Sequence, residues 1–146
     1  MKMVSWNEYS EILNKVHENI KLKQFDNIVA IGRGGSIIGA YLASKLGIPT
    51  FYPIFLRHVT ESGHKSIDDV SPNVRTQIKS LTGSLLIVDD YLRDGLAMKY
   101  VLNLVSKKAS TETLVLYDRK GSEFKPDIVG KYIEDTQISF PYDILG

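Results

Sequence analysis

The stretch LLIVDDYLRDGLAMKYV, residues 85–101, decides the fold class of this 146-residue chain. Residues 85–88 form a continuous apolar run, as parallel strands do when both of their faces are covered. Asp89 and Asp90 then end the predicted strand, Gly95 permits a tight turn, and the apolar residues beyond it recur at helical spacing. We therefore expect the two acids at the carboxyl end of a strand, where open α/β sheets bind ligands.

Length and composition predict one globular domain over residues 1–146. Hydrophobic residues make up 43% and charged residues 24%, as in ordinary soluble proteins. The net charge of +1 gives no broad basic footprint, so nucleic acid is not an expected partner. The sequence contains no cysteine, which excludes disulfides and cysteine-ligated metal centres. A polar first segment and the lack of a long apolar run predict neither a signal peptide nor a membrane span, so we expect a cytoplasmic protein.

Helical and strand patterns alternate along the chain. Ser5 and Glu8 predict the start of a first helix, and another helix is expected over residues 36–46, closed by Gly47. The polar, weakly periodic segment 58–82 predicts a functional loop or a mobile lid. Strands are expected over residues 27–31, 50–57, 85–88 and 113–117. This order predicts an α/β fold, with a mainly parallel sheet and helices on both faces.

A glycine-rich turn between a predicted strand and a predicted helix is the second chemical signal. Gly32, Gly34 and Gly35 surround Arg33, and glycines there free backbone N–H groups to approach an anion. The turn fits neither a dinucleotide fingerprint nor a Walker loop. Taken alone, it also fits a plain tight turn with a solvated arginine, and the acidic pair alone fits an acid-rich helix start. Two ligand-type strand ends in one small sheet favour a ligand site.

Three stretches, in this order, resemble the type I phosphoribosyltransferases, and among them the small xanthine/guanine/hypoxanthine enzymes. They are AIGRGG at 30–35, LLIVDDYLRDG at 85–95 and DTQISFPYD at 135–143. The resemblance implies the Rossmann-like type I phosphoribosyltransferase fold with a C-terminal hood. It also implies purine salvage: the phosphoribosyl group of phosphoribosyl pyrophosphate (PRPP) passes to a purine base, which gives a nucleoside monophosphate and pyrophosphate. Mg²⁺ is the implied cofactor, and a homodimer or higher homo-oligomer the implied assembly.

The resemblance also implies roles for individual residues. Arg33 and the adjoining backbone of Gly32, Gly34 and Gly35 would receive pyrophosphate. Asp89 and Asp90 would face the ribose hydroxyls and the magnesium-bound substrate, where carboxylates can oppose the positive charge that grows at the anomeric carbon. The 5′-phosphate would lie against the next helix, in a loop containing Arg93, Gly95, Leu96 and Ala97, with Lys99 beside it.

The loop departs from the family pattern Asp-Thr-Gly-Gly-Thr. Arg93, Asp94, Leu96 and Ala97 replace its first Asp, first Thr, second Gly and last Thr. In purine enzymes of the family the first Asp accepts the proton that the base loses, which an arginine cannot do because its pKa exceeds about 12. Asp94 is then the expected acceptor, by a one-residue shift. Two functions remain open: the transferase, or a non-catalytic or weakly catalytic regulatory protein that binds PRPP or nucleotides.

The hood departs from the family pattern as well. Gln137 replaces the aromatic residue that stacks on the purine, whereas Ile138 matches the neighbouring position. Phe140 and Tyr142 offer aromatic faces nearby, although such residues in a tail are also typical of a core or an interface. Asp135 is expected in the hood's framework.

Other charged residues carry weaker signals. Arg119 or Lys120 is the nearest candidate for the lysine that reads the purine's exocyclic oxygen. Arg57 and Lys65 fit either closure over pyrophosphate or an ordinary surface role. Asp68–Asp69 is expected in a solvated stretch, and the three histidines share no metal-ligand spacing.

Overall fold

Helices and strands alternate through most of the computed structural model, which describes residues 1–134 and 137–143. In chain order they are β1 (Lys2–Met3), α1 (Trp6–Ile20), β2 (Asn27–Ile31), α2 (Gly32–Leu46), β3 (Tyr52–Ile54), β4 (Leu56–Glu61), β5 (His64–Asp69), α3 (Pro72–Lys79), β6 (Gly83–Leu92), α4 (Leu96–Leu104), β7 (Ala109–Arg119), β8 (Ile128–Ile133) and β9 (Ile138–Ser139). Five strands form the central sheet in the order β3-β2-β6-β7-β8, and all four strand pairs are parallel. The predicted mainly parallel sheet is confirmed.

Two apolar layers cover the two faces of this sheet. In β2, Ile28 and Ala30 face the layer that contains α1 and α2, whereas Val29 and Ile31 face the layer of α3 and α4. Successive strand residues point to opposite faces, so a strand covered on both sides must be apolar throughout. The prediction of helices on both faces is therefore confirmed. No helix among residues 1–134 and 137–143 is long and apolar enough to cross a membrane.

The first helix ties the start of the chain to the sheet. The Ser5 hydroxyl accepts a hydrogen bond from the backbone N–H of Glu8 at 3.1 Å, which confirms the predicted N-cap. The carboxylate of Glu8 accepts hydrogen bonds from Lys2, at 2.8 Å, and from the buried hydroxyl of Tyr117. Helix α1 is thereby linked to the end of β7.

Several predicted boundaries are wrong. Helix α2 begins at Gly32 rather than at residue 36, so the glycine-rich turn forms the first turn of the helix itself. Strand β6 continues to Leu92 instead of ending before the acidic pair, because β7 pairs with it along this length. The strand expected over residues 50–57 is limited to β3, after which the chain leaves the central sheet for β4.

The segment 58–82, predicted to be a loop or a lid, contains a hairpin and a helix. Strands β4 and β5 pair antiparallel up to Glu61 and His64. The two residues between them, Ser62 and Gly63, have φ values of 50° and 75°, as a two-residue hairpin turn requires. Polar composition concealed this hairpin because it forms a separate two-stranded sheet.

Asp69 anchors the hairpin and is not solvated as expected, since its side chain is only 2% exposed. Its carboxylate accepts hydrogen bonds from the backbone N–H of Ser71 at 2.8 Å and from the hydroxyl of Tyr100 at 3.3 Å. Asp69 thus holds the hairpin against α4.

The first and last strands of the described chain pair with each other. β1 runs parallel to β9, with Lys2 opposite Ile138 and Met3 opposite Ser139. The segment expected to form the hood is therefore fixed by the N-terminal residues, a pairing that the sequence patterns did not indicate. Asp135, expected in the hood's framework, lies outside the described residues.

Candidate functional site

The acidic pair lies where β6 extends past its neighbour β2. The pairing of these two strands ends at Ala30 and Val88, and β2 then gives way to α2. Beyond this point β6 pairs only with β7, where Asp89 lies opposite Val115. The two carboxylates are therefore placed by a strand that is held on one side only, beside the start of a helix.

The glycine-rich turn packs directly against the acidic pair. A Cβ added at Gly34 would lie 1.8 Å from Oδ2 of Asp90, and one added at Gly35 would lie 2.7 Å from the carbonyl oxygen of Val88. No side chain fits at either position. The structure thus brings the exposed Arg33 and the first turn of α2 together with the acidic pair, as expected from the sequence.

The two carboxyl groups share a hydrogen bond, and each has a further partner. Oδ1 of Asp89 accepts a hydrogen bond from the backbone N–H of Asp90 at 2.8 Å, and Oδ2 of Asp90 accepts one from the hydroxyl of Tyr142 at 2.7 Å. Burial raises the pKa of Asp89 well above its usual range, and the neighbouring charge of Asp90 raises it further. Burial also raises the pKa of Asp90, against the opposing effect of its hydrogen bonds. A cation bound here would favour the fully ionised pair.

The loop after β6 is shaped by its own acid. Oδ1 of Asp94 accepts a hydrogen bond from the backbone N–H of Leu96 at 3.1 Å, which fixes the start of α4. Leu96 and Ala97 are half-buried, and Ala97 packs on the apolar layer of α3 and α4. Arg93 and Lys99 are exposed, so both cations are available to a ligand.

A cleft of about 180 Å³ separates this loop from the loop after β7. Its lining residues are Leu92, Arg93, Asp94, Gly95, Arg119, Ser122, Glu123 and Phe124. The sequence analysis did not identify residues 122–124 as part of the site, since no motif marks them. Only the sheet topology predicts that residues 122–124 lie here, because the loops that follow adjacent parallel strands lie side by side.

The structure distinguishes the two candidates for reading an exocyclic oxygen. Arg119 lines the cleft, whereas Lys120 donates a hydrogen bond to Glu134 at 3.3 Å. The loop takes its shape from Asp118, which is 1% exposed and accepts a hydrogen bond from the hydroxyl of Ser122 at 2.9 Å. Arg119 is therefore the better placed of the two cations.

The hood residues are only partly brought to the site. Gln137 is exposed, its carbonyl oxygen accepts a hydrogen bond from the backbone N–H of Lys2 at 3.0 Å, and neither it nor Ile138 lines the cleft. Phe140 is buried in the core and stacks on Tyr142, with ring centroids 5.3 Å apart. Tyr142, rather than Gln137, is the hood residue that contacts the acidic pair.

Two other cations belong to the hairpin. Arg57 forms an ion pair with Asp68, and both side chains are exposed. Lys65 is exposed on the facing strand, opposite Thr60. Both cations thus lie on the separate two-stranded sheet, outside the cleft.

The donor set suits a magnesium ion that arrives with its substrate. Among the residues that the structure describes, no three histidine, cysteine or acidic side chains gather as a metal site. Asp89 and Asp90 nevertheless present hard carboxylate oxygens side by side. Mg²⁺ typically takes one or two carboxylates and completes its coordination with substrate phosphates and water.

Comparison with known proteins identifies the fold. A family model described as a phosphoribosyl transferase domain matches residues 5–143. The purine phosphoribosyltransferase from Pyrococcus horikoshii Ot3 is 21% identical, with a TM-score of 0.80 over 99% of this chain and 95% of its own. The Helicobacter pylori xanthine-guanine-hypoxanthine phosphoribosyltransferase is 15% identical, with a TM-score of 0.72 over 95% of this chain and 90% of its own. These matches confirm the fold that the resemblance predicted.

A third similar structure contains a nucleotide. A hypothetical protein from Neisseria gonorrhoeae with bound ppGpp is 21% identical, with a TM-score of 0.76 over 99% of this chain and 90% of its own. No curated protein sequence matches the chain significantly.

Proposed function

Because this chain belongs to the phosphoribosyl transferase domain family, we propose that it transfers the phosphoribosyl group of PRPP to a purine base of the guanine, xanthine or hypoxanthine type. The products would be a nucleoside monophosphate and pyrophosphate. One observation carries the proposal: the first turn of α2 packs against Asp90, since a Cβ at Gly34 would lie 1.8 Å from its carboxylate. A helix N-terminus that suits an anion is thus in contact with a carboxylate that suits a ribose.

The two halves of PRPP would divide between these elements. The backbone N–H groups at the start of α2 and the guanidinium of Arg33 suit the pyrophosphate, because helix N-termini and arginines favour phosphate oxygens. Asp89 and Asp90 suit the ribose, whose hydroxyls would donate to their carboxylates. The same carboxylates would oppose the positive charge of an oxocarbenium-like transition state.

The 5′-phosphate would lie at the start of α4. The family's threonine hydroxyls are missing here, so backbone N–H groups of the helix would do most of the binding. Arg93 and Lys99 are exposed and would supply positive charge. The negative charge of Asp94 would repel the phosphate less than a free carboxylate would, because one of its oxygens already accepts a hydrogen bond from the backbone N–H of Leu96.

The purine would occupy the cleft between the two loops. Arg119 would donate a hydrogen bond to the exocyclic oxygen of the purine. The hood residues Gln137 and Ile138 would contact the part of the purine that extends out of the cleft. In the transfer, the bond from the ring nitrogen to the anomeric carbon forms while the bond from that carbon to pyrophosphate breaks. The proton of the ring nitrogen passes to a carboxylate, for which Asp94 is our candidate and Glu123 the other acid of the cleft.

Asp89 and Asp90 would hold the Mg²⁺ that accompanies PRPP. When bound, the ion would neutralise charge on the departing pyrophosphate. The protein's own part is to hold two carboxylates side by side at the end of β6. We also propose that the protein acts as a homodimer or higher homo-oligomer, which light scattering would test.

Binding of a phosphorylated nucleotide without transfer is the second candidate function. The altered loop favours it, because Asp94 is engaged in fixing α4 and Arg93 cannot accept a proton. The similar Neisseria gonorrhoeae structure, described with bound ppGpp, gives an example of a nucleotide on this fold.

One assay separates the two functions. Purified protein is incubated with PRPP, Mg²⁺ and each purine in turn, and release of pyrophosphate is measured beside calorimetric binding of PRPP. Release with a 6-oxopurine, abolished in Asp90→Asn, would support the transferase. Binding of PRPP without release with any purine would refute it and support the nucleotide-binding protein.

A further inference from the structure

Tyr142 places its hydroxyl on the carboxylate that is expected to hold the ribose. The hydroxyl donates to Oδ2 of Asp90 at 2.7 Å. Gly34 approaches the same oxygen, since an added Cβ would lie 1.8 Å from it. Asp90 is thus held between the first turn of α2 and the hood.

The turn that presents Tyr142 is itself fixed. The backbone N–H of Phe140 donates to the carboxylate of Asp143 at 2.8 Å, and the N–H of Asp143 donates to the carbonyl of Phe140 at 2.9 Å. The ring of Tyr142 stacks on Phe140 at an interplanar angle of 2° and meets Tyr9 edge-on, with centroids 5.7 Å apart. Packed rings therefore set the direction of the hydroxyl.

We propose that Tyr142 is a positioning residue for Asp90, which it orients toward the ribose hydroxyls of the bound substrate. The proposal rests on the proposed function in one respect, namely that a phosphoribosyl group binds at the acidic pair. A carboxylate has about four acceptor sites. Tyr142, Asp89 and the backbone of Tyr91 engage Asp90, which leaves one of these sites for a ligand. The hydrogen bond therefore orients Asp90 without blocking it.

The same aromatic cluster provides a matched control. Tyr9 is 2% exposed and meets both Phe140 and Tyr142 edge-on. Its buried hydroxyl interacts with the hydroxyl of Tyr142 but makes no hydrogen bond to Asp90. Tyr9→Phe and Tyr142→Phe each remove one hydroxyl from one cluster, but only the second removes a bond to Asp90.

The test compares two ligands by calorimetry in the presence of magnesium: PRPP, which contains the ribose, and inorganic pyrophosphate, which does not. We expect Tyr142→Phe to weaken PRPP about tenfold or more, the usual cost of removing a partner that orients a ligating side chain. Pyrophosphate should be weakened by a clearly smaller factor, because it would reach Asp90 only through the magnesium ion. Tyr9→Phe should bind both ligands like the wild type, and both variants should unfold at similar temperatures.

Three results would overturn the proposal: unchanged PRPP affinity in Tyr142→Phe, equal weakening of both ligands, or tighter PRPP binding, which would make the bond a competitor of the substrate. Wild-type protein that binds no PRPP would refute this proposal and the proposed function together. Wild-type protein that binds PRPP but releases no pyrophosphate with any purine would refute the transferase alone, and the comparison of the two tyrosines would still decide the role of Tyr142.

Discussion

The carboxylate of Asp90 leaves no room for a side chain at position 34. A glycine-to-alanine change inside a helix ordinarily stabilises a protein by roughly 0.5–1 kcal/mol, because alanine has the better helix propensity. Here the added Cβ would lie 1.8 Å from Oδ2 of Asp90, so the carboxylate or the helix has to move. We therefore expect alanine at position 34 to destabilise the protein rather than to stabilise it.

We expect Gly34→Ala to lower the free energy of unfolding by about 1–3 kcal/mol, the usual cost of overpacking. PRPP affinity should fall with it, because the displaced group is Asp90. Chemical denaturation and calorimetry measure the two effects. Ser44→Ala, at an exposed position of the same helix, is the control and should change neither. A Gly34→Ala protein that is as stable as the wild type and binds PRPP equally well would contradict the packing described here.

The two acids of the cleft differ in what else they do. Asp94 fixes the start of α4, whereas Glu123 has no hydrogen-bond or ion-pair partner among the described residues. If Asp94 accepts the proton of the base, Asp94→Asn should lower turnover about 10²-fold or more. Asparagine still accepts a hydrogen bond from Leu96, so stability and PRPP affinity should be kept. Glu123→Gln is the matched variant and should stay near the wild-type rate; the opposite pattern in steady-state kinetics would assign the proton to Glu123.

At the scale of elements, the pattern of apolar residues predicted a central strand of the sheet. The apolar run at residues 85–88 indicated a strand covered on both faces, and β6 is such a strand. The same run could not indicate that β6 continues through Asp89 and Asp90, because that extension depends on pairing with β7. Strand pairing between distant segments leaves no periodic trace in either sequence.

The hairpin and the cleft show two further limits of the sequence. Hydrophobic periodicity is weak in β4 and β5 because they form a sheet of their own. The Ser62-Gly63 pair is nevertheless a typical turn signal in the sequence. The wall of the cleft at 122–124 carries no motif at all. By contrast, the contact between the glycine-rich turn and the acidic pair could be expected from sequence, because both segments follow strands of one parallel sheet.

The loop between β6 and α4 offers a test of the transferase at this scale. Changing Arg93-Asp94-Gly95-Leu96-Ala97 to Asp-Thr-Gly-Gly-Thr restores a proton acceptor and two hydroxyls next to the helix start. We expect pyrophosphate release to rise roughly tenfold or more, a part of the 10²–10⁴-fold that acid–base catalysis contributes. Wild type and Asp90→Asn with the restored loop serve as controls in the same assay. No rise, with PRPP still bound, would count against a handicapped transferase.

At the scale of the whole molecule, the acidic pair opposes folding stability. Burial raises the pKa of Asp89 well above the ordinary 3.8, so above pH 3.8 this carboxyl group is protonated more in the folded protein than in the unfolded chain. The contribution of Asp89 to stability therefore falls as the pH rises from 3.8 through its folded-state pKa. The buried acidic pair thus lowers the stability of the fold at neutral pH.

Asp89→Asn should remove this dependence. We expect the free energy of unfolding at pH 7 to increase by about 0.5–2 kcal/mol, the usual gain from relieving a strained functional position. Below pH 3.8 the gain should vanish, because Asp89 is then protonated in both states. Denaturation curves across this pH range give the measurement, and Asp68→Asn, at an exposed position, should leave the pH profile unchanged. A variant less stable than the wild type at pH 7 would contradict the sign.

The pairing of β1 with β9 has a consequence for the order of events during protein synthesis. A ribosome delivers all five strands of the central sheet before β9 and Tyr142 emerge. The growing chain can therefore assemble its sheet, and pack Asp90 against α2, before the hydrogen bond from Tyr142 to that carboxylate can form. A product released after β8 would retain the sheet strands but lack the hydrogen bond from Tyr142 to Asp90. Under the proposed function, full affinity for PRPP would therefore require that residues 138–142 have been translated.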